Sequence, residues 1–394
     1  MLEKNFQLLQ IEHIHLGLYI HIPWCVKKCP YCDFNSHALP EQAPFASYVD
    51  ALLADAKSQA DLTGGRQIST IFIGGGTPSL MPVAQFERLF IGLRQIFSIR
   101  ADCEITLECN PGTLEHAPFE EYLNIGINRI SIGVQSFGDR FLTDLGRIHE
   151  ASQAIRAIWL AKQAGFTRIN ADLMYGLPNQ TADDALSDLR TAIDAGATHI
   201  SWYQLTIEPN TAFYRTPPTL PDEETMEVIE EQGRALLTSQ GFTNYEVSAW
   251  VGATDTPCQH NLNYWTFGDY LAIGAGAHGK ITLLDHHTHQ DGIYRFQKSR
   301  LPKDYLNYTD VPKMVNFDKI DEQNLPFEFM MNALRLRDGV STDDFERRTG
   351  LFVSTIDNEM IPLQHQGLMV FDPLRIAPTA LGFRYVNHLV REFL

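Results

Sequence analysis

From residue 17 to about 206 the chain alternates short apolar runs with longer amphipathic ones. The apolar runs read "GLYIHIP" (17–23), "STIFIGGG" (69–76), "EITLECNP" (104–111), "RISIGVQS" (129–136), "RINADLMYG" (168–176) and "HISWYQLT" (199–206). Their length and β-branched content predict strands, and the stretches between them carry helical spacing. "TADDALSDLRTAIDAG" is the clearest helix. There Thr181 with Asp184 resembles a capping box, Leu186, Leu189 and Ile193 share a face, and Gly196 supplies the stop. Six strand–helix units in a row predict a parallel sheet with helical crossovers, wound as an open sheet or as a barrel.

Strand parity selects the barrel. Ile130, Ile132 and Val134 oppose Ser131, Gly133 and Gln135; Ile105 and Leu107 oppose Glu104, Thr106 and Glu108. Ile169, Ala171 and Leu173 oppose Asn170 and Asp172, and Leu18, Ile20 and Ile22 oppose Tyr19 and His21. Strands covered by helices on both faces tend to be apolar on both. One polar face per strand instead predicts the wet interior of a partial, TIM-like (β/α)6 barrel. The sixth strand is less tidy, because Gln204 shares its parity with Ile200 and Trp202. Sites in such barrels lie at the C-terminal strand ends. Glu108, Gln135 and Asp172, late on their polar faces, are therefore candidate site residues from periodicity alone.

Beyond 206 the pattern changes. A helix is predicted over 222–240, then the strand-like "FTNYEVSAW" (242–250) and the Gly-rich "DYLAIGAGAHG" (269–279). Residues 288–310 read as loop and short strand. "LPFEFMMNALRLRDGVSTDDFERRTG" (325–350) reads as two helices joined at "DGVS", with Ser341 or Thr342 as N-cap. The end of the chain, 367–394, reads as short strands and a closing helix. The organisation expected is an N-terminal segment (1–16), the barrel core (17–210), a barrel-associated α/β extension (211–315) and a small winged-helix-like domain (316–394).

A chain of 394 residues suits a large barrel with an appendage. With 48 acidic against 31 basic residues, the net charge of −17 argues against a nucleic-acid partner. The winged-helix outline is accordingly read as a packing or partner surface. No apolar run approaches the roughly 20 residues of a bilayer span. The start, "MLEKNFQLLQIEHIHLG", lacks the features of a secretory signal, so a cytoplasmic location is expected. Of six cysteines, Cys25, Cys29 and Cys32 share one loop while Cys103, Cys109 and Cys258 are scattered, which is not a disulfide framework. Cys103 and Cys109 read as buried thiols.

The loop is "WCVKKCPYCDF" (24–34). Three clustered thiols suit zinc, with His37 as fourth ligand, or an iron–sulfur cluster. "GGGTP" (74–78) ends the second strand as a tight turn; lacking a Lys-Ser/Thr pair, it is not a P-loop.

C-x3-C-x2-C directly after the first strand of a βα barrel resembles the radical S-adenosylmethionine (SAM) superfamily. The resemblance implies that Cys25, Cys29 and Cys32 hold three irons of a 4Fe–4S cluster whose fourth iron is chelated by SAM. Electron transfer to the sulfonium then yields methionine and a 5′-deoxyadenosyl radical. Tyr31 would occupy the aromatic position that touches the cofactor, and the glycine turn would let backbone approach its methionyl end. "YIHIPWC", "GGGTPS", "GVQSF", "LGRIH" and "DLMYGLP" resemble, in order and over nearly the whole chain, the coproporphyrinogen-dehydrogenase-like branch. That implies SAM contacts at Tyr19, Gly75, Gly76, Thr77, Glu108, Gln135, Arg147 and Asp172, and an electron donor such as a flavodoxin. Carboxylates suit ribose hydroxyls and the methionyl amine; Arg147 suits a carboxylate.

Porphyrinogen-oxidising members of the branch carry a further cysteine where Phe34 stands, and a longer segment than the 24 residues ahead of Cys25. "HNLNYW" (260–265) and "CDFNSH" instead resemble its haem-chaperone members, which bind haem and pass it to acceptor proteins. By that resemblance His260 is the candidate haem-iron ligand, with Cys258 a weaker one, and Tyr264 and Trp265 flank a porphyrin or pack. A histidine in such a place is otherwise a structural hydrogen-bonder. Three functions stand side by side: a haem chaperone carrying the cluster and SAM, an oxygen-independent coproporphyrinogen III dehydrogenase, and a zinc-structured binding module. "DHHTHQ" (285–290) offers His286, His287 and His289 to a metal or is an exposed polar loop.

Overall fold

The computed structural model describes residues 9–112, 117–284, 291–307 and 314–394. The "DHHTHQ" histidines lie outside them. Six parallel strands follow one another in space as in sequence: β1 (Leu16–Ile22), β2 (Ile68–Gly75), β3 (Ile99–Cys109), β4 (Arg129–Gln135), β5 (Ile169–Tyr175) and β6 (His199–Gln204). Helices α1 (Phe45–Ser58), α2 (Val83–Ile96), α3 (Phe119–Asn124), α4 (Ala151–Gln163) and α5 (Ala182–Ala195) make the crossovers, and α6 (Glu223–Ser239) follows β6. The fold class is the one expected, a partial (β/α)6 barrel. In α5 the capping box is formed as predicted, with Thr181 Oγ1 accepting from Asp184 N and the Asp184 carboxylate accepting from Thr181 N. Gly196 ends that helix at φ 106°.

The two parities separate cleanly. Leu18, Ile20, Ile71, Ile73, Leu107, Ile130, Ile132 and Ala171 are fully buried beneath the helices. This one-sided burial of branched side chains, each contributing about 1.5–3 kcal/mol, fixes the register of every strand. The polar parity then has no choice but to face the lumen.

The barrel does not close on itself. β1 continues the sheet in parallel to β9 (Asp269–Ile273) and on through the antiparallel strands β10 (His278–Leu283), β11 (Gly292–Lys298) and β12 (Met314–Lys319). At the other edge β6 pairs with β8 (Ala249–Val251), which pairs with β7 (Thr243–Asn244). Residues 288–310 thus contribute a seven-residue strand, β11, longer than the sequence suggested. Two buried ion clusters join this extension to the barrel. Asp55 of α1 receives Lys298 Nζ and the Tyr305 hydroxyl, each at 2.7 Å. Asp269 receives Lys280 Nζ at 2.9 Å and Arg66 Nη1 at 2.7 Å.

The segment holding "HNLNYW" is a helix, α7 (Gln259–Trp265), an element the sequence patterning did not predict. Its N-terminus has no local side-chain cap. Instead Glu104 of β3 accepts from Gln259 N and from His260 N, both at 3.0 Å, satisfying the amides a helix start leaves open. Burial alone would raise the Glu104 carboxyl, but Arg129, Arg168 and the two amides hold it below its ordinary value. α7 thereby plugs the lumen at the N-terminal strand ends, where His260 meets Thr70 near the start of β2.

The C-terminal helices α8 (Leu325–Ala333), α9 (Thr342–Thr349) and α10 (Asp357–His365) surround a second core of Phe329, Met330, Phe345, Met360 and Leu389. Ser341, not Thr342, is the N-cap of α9, its Oγ accepting from Asp344 N at 2.9 Å. Phe267 and Ile293 belong to this core, so it begins before residue 316. The closing helix is broken in two, Ala380–Arg384 and Val386–Arg391. Among the described residues no helix is long and apolar enough to cross a membrane.

Candidate functional site

The cysteine loop leaves β1 and is pinned at both ends. Trp24–Cys25 pairs in parallel with His37–Ala38, and Trp24 packs edge-on against Phe45 and Tyr48 of α1. This buries Cys25 and leaves Cys29 and Cys32 half-exposed toward the mouth of the barrel; all three thiols are free. Arg147 Nη1 lies 3.6 Å from Cys29 Sγ, and the Ser36 hydroxyl 3.8 Å from Cys32 Sγ. Burial pushes the Cys25 thiol up to about 11 and raises that of Cys32, so a bound cation would favour the thiolate form of both. Among the described residues no three His, Cys, Asp or Glu side chains converge on one metal-ion position, so the zinc set with His37 is not assembled.

Facing the cysteines is the turn after β2. Gly75 has φ 121°, and a Cβ on it would lie 2.7 Å from the His21 ring. A Cβ on Gly76 would lie 2.5 Å from Trp24 O. Only glycine allows this approach. Gly76 N and Thr77 N donate to Ile22 O and Trp24 O, lacing the turn to the root of the cysteine loop.

The strand ends complete the ring. Glu108, on β3, accepts from Gly75 N at 3.3 Å; burial, then the nearby Asp172, push its carboxyl up to about 8. Asp172, on β5, accepts from Ser131 Oγ at 3.0 Å and Asn170 Nδ2 at 2.8 Å, and burial raises it too. Gln135 ends β4 at φ 68°, unusual for a side-chain-bearing residue, and its Oε1 accepts from the Tyr203 hydroxyl at 2.7 Å. Arg147 Nη2 donates to Asn110 Oδ1 and Gly133 O, both at 2.7 Å, and Asn110 Nδ2 donates to Thr77 Oγ1 at 3.1 Å.

One cavity at the C-terminal strand ends is lined by Cys25, Cys29, Cys32, Tyr31, Gly75, Gly76, Thr77, Glu108, Gln135, Arg147 and Asp172. Tyr19 lines an adjoining cleft that shares Gly75, Glu108 and Phe34 with the first. Three thiols, two carboxylates, a fixed guanidinium and bent backbone suit a zwitterionic ligand beside a cluster of soft metal ions. Sequence reasoning missed Asn110, Ser131, Gly133 and Tyr203. Ser131 and Gly133 share Gln135's parity, and Asn110 continues the parity of Glu104, Thr106 and Glu108, so all three were open to discovery.

His260 is elsewhere. It is 1% exposed, inside the barrel floor, with Nδ1 2.8 Å from Thr70 Oγ1 and Nε2 2.8 Å from the Tyr264 hydroxyl. Burial depresses it to about 3, so the ring is neutral. An iron ligand needs one ring nitrogen bare and facing open space; here both are engaged. Cys258 is fully buried, its thiol pointing 3.4 Å from Glu104 Oε1 and pushed up to about 12 by burial. Trp265 faces the second core, with Arg335 4.7 Å over its ring. Of the motif's residues, Tyr264 reaches the cleft beside Tyr19.

The sequence pattern of the radical SAM superfamily matches residues 19–192, and that of the HemN C-terminal domain matches residues 320–385. The chain is 47% identical over 383 residues to the heme chaperone HemW of Haemophilus influenzae, covering 96% of this chain and 98% of that one. It is 46% identical over 379 residues to the heme chaperone HemW of Escherichia coli K12, covering 96% and 98%. Among solved structures, the coproporphyrinogen III oxidase HemN of Escherichia coli shares the fold, with a TM-score of 0.81 at 24% identity over 98% of this chain and 92% of that one.

Proposed function

The chain belongs to the radical SAM superfamily and, within it, to the HemW family of heme chaperones, and from that premise we propose that it binds haem and hands it to acceptor proteins. In this reading Cys25, Cys29 and Cys32 hold a 4Fe–4S cluster and S-adenosyl-L-methionine occupies the cavity as an exchangeable ligand. One observation carries the proposal. Three thiols face a cavity whose other walls include the Arg147 guanidinium, the Glu108 and Asp172 carboxylates, Lys27 and Lys28 and close-packed backbone, groups that complement an amino-acid head group.

The donor set fits the group. Arg147, already held by Asn110 and Gly133, presents its charge where a methionyl carboxylate would lie, so little side-chain entropy is lost on binding. Glu108 and Asp172 are buried acceptors for an amine and for ribose hydroxyls, and an arriving cation would draw the Glu108 proton off. Tyr31 packs against Phe213, 6.4 Å between centroids, which keeps its ring at the cavity wall. When bound, the cluster supplies one electron, delivered by a donor such as a flavodoxin. Phe34 stands 63% exposed where oxidising members of the branch carry a cysteine, which favours transfer of haem over oxidation of a porphyrinogen. A cytoplasmic location accords with this function.

The test uses anaerobically reconstituted protein. It is expected to carry about four iron and four sulfide per chain and to bind haem stoichiometrically by Soret titration. It should then lose that haem to apo-haemoprotein. Reduced protein incubated with SAM and coproporphyrinogen III is expected to give no protoporphyrinogen IX; its formation would replace the chaperone reading with the dehydrogenase.

A further inference from the structure

Beside the cysteine loop, between β1 and the extension strands β9–β11, lies a cleft of which the SAM assignment uses only the edge formed by Tyr19, Gly75 and Glu108. Its walls include Phe34, Tyr264, Tyr270, His278 and Arg300, and it opens onto Glu108 and Gly75 at the edge of the SAM cavity. A metalloporphyrin asks three things of a protein: apolar or aromatic surface for its faces, a bare imidazole for its iron and a cation for its propionates. We propose that haem docks in this cleft, with His278 as axial ligand and Arg300 holding a propionate; this rests on the haem-binding reading above and names the seat of the cargo.

His278 opens β10 opposite Gln297, with its side chain exposed to the cleft. Among the described residues its ring nitrogens have no hydrogen-bond partner, in contrast to His260. Partial burial and the guanidiniums of Arg300 and Arg295 lower its proton affinity, so the ring is neutral, the form that ligates iron. Arg300 is anchored through its backbone. Asn35 Nδ2 donates at 2.9 Å to both Arg300 O and Ala275 O, while Asn35 O meets His21 Nε2 at 2.9 Å. Asn35 lies three residues past Cys32, so the cysteine loop and the histidine-bearing turn are held as one unit. Phe34, exposed at the rim, and the phenol rings of Tyr264 and Tyr270, 4.4 Å apart between centroids, supply aromatic surface.

The experiment compares wild type, His278→Ala and Arg300→Ala as cluster-loaded protein, each titrated with haem, haem dimethyl ester and metal-free protoporphyrin IX. His278→Ala is expected to abolish the wild-type axial-ligand signature in the Soret and resonance Raman spectra. It should weaken haem about tenfold or more while leaving metal-free porphyrin binding unchanged. Arg300→Ala is expected to weaken haem and protoporphyrin about tenfold and the dimethyl ester hardly at all. If wild type binds haem but His278→Ala keeps both its spectrum and its affinity, the cleft assignment is overturned and the chaperone reading stands. If wild type binds no haem, the chaperone reading itself falls and takes this assignment with it. Iron and sulfide content, equal in all three proteins, shows that the substitutions leave the fold intact.

Discussion

Arg147 reaches Cys29: one guanidinium nitrogen lies 3.6 Å from the thiol sulfur while the other is clamped between Asn110 Oδ1 and Gly133 O. A positive charge is thus built into the wall where the cysteine loop and the strand ends meet. It cannot swing away without breaking two hydrogen bonds.

Replacing Arg147 by Gln removes that charge but keeps a polar side chain. SAM binding to the reconstituted protein is expected to weaken by about ten- to a hundredfold, the worth of a charge-assisted pair out of bulk water. The cluster's reduction midpoint is expected to become more negative, because a nearby cation favours the electron-rich state. Isothermal titration and redox potentiometry measure the two effects, and an unchanged SAM affinity would remove Arg147 from the site.

Glu108 gives the cavity a pH signature. Its folded-state value, about 8, lies above the ordinary 4.5, so folding favours the protonated form. That contribution is whole below about pH 4.5 and is lost as pH rises through about 8. Without cluster or SAM, Glu108→Gln is therefore expected to gain on wild type in thermal stability between about pH 6 and pH 9, reaching about 2–3 kcal/mol. A stability difference independent of pH in differential scanning fluorimetry would contradict this. In the same variant SAM binding should weaken.

Much of this site was open to reading in the sequence, because a strand repeats every two residues and the barrel buries one parity. Glu108, Gln135, Asp172 and Tyr19 follow from that rule, as do Ser131 and Gly133 had it been pressed further. What was not legible depends on partners far apart in the chain. α7 was missed because its cap is Glu104, over 150 residues upstream, and its own residues, two of them asparagines, favour helix poorly. Arg300 owes its place to Asn35, across the fold. Sequence periodicity carries no information about such contacts.

His260→Ala tests the reading of α7 as a structural floor. Losing two buried hydrogen bonds and leaving a void should cost about 2–4 kcal/mol of unfolding free energy, seen as a lower denaturant midpoint. Since His260 also holds the Tyr264 phenol at the cleft, haem affinity is expected to fall a few-fold while the spectrum of bound haem stays that of wild type. A changed axial-ligand spectrum would make His260 the ligand.

Lys298→Met removes the cation that Asp55 faces in a fully buried pair. The carboxylate left behind keeps only the Tyr305 hydroxyl and a glutamine amide, so the variant should lose about 3–5 kcal/mol. Asp55→Asn combined with Lys298→Met should restore part of that loss, measured as a double-mutant cycle; a Lys298→Met protein as stable as wild type would show that the pair is not ionised.

α7 is seven residues long and has two faces. His260 and Asn263 are buried under the barrel, while Leu262 and Trp265 pack against the C-terminal helices, where Arg348 also bonds Thr266 O just beyond. It is a party wall: neither neighbour can be demolished without undermining the other. A chain cut before residue 316 would leave the lumen's base unsupported, and any load on the C-terminal helices presses on the same partition from which Tyr264 reaches the cleft.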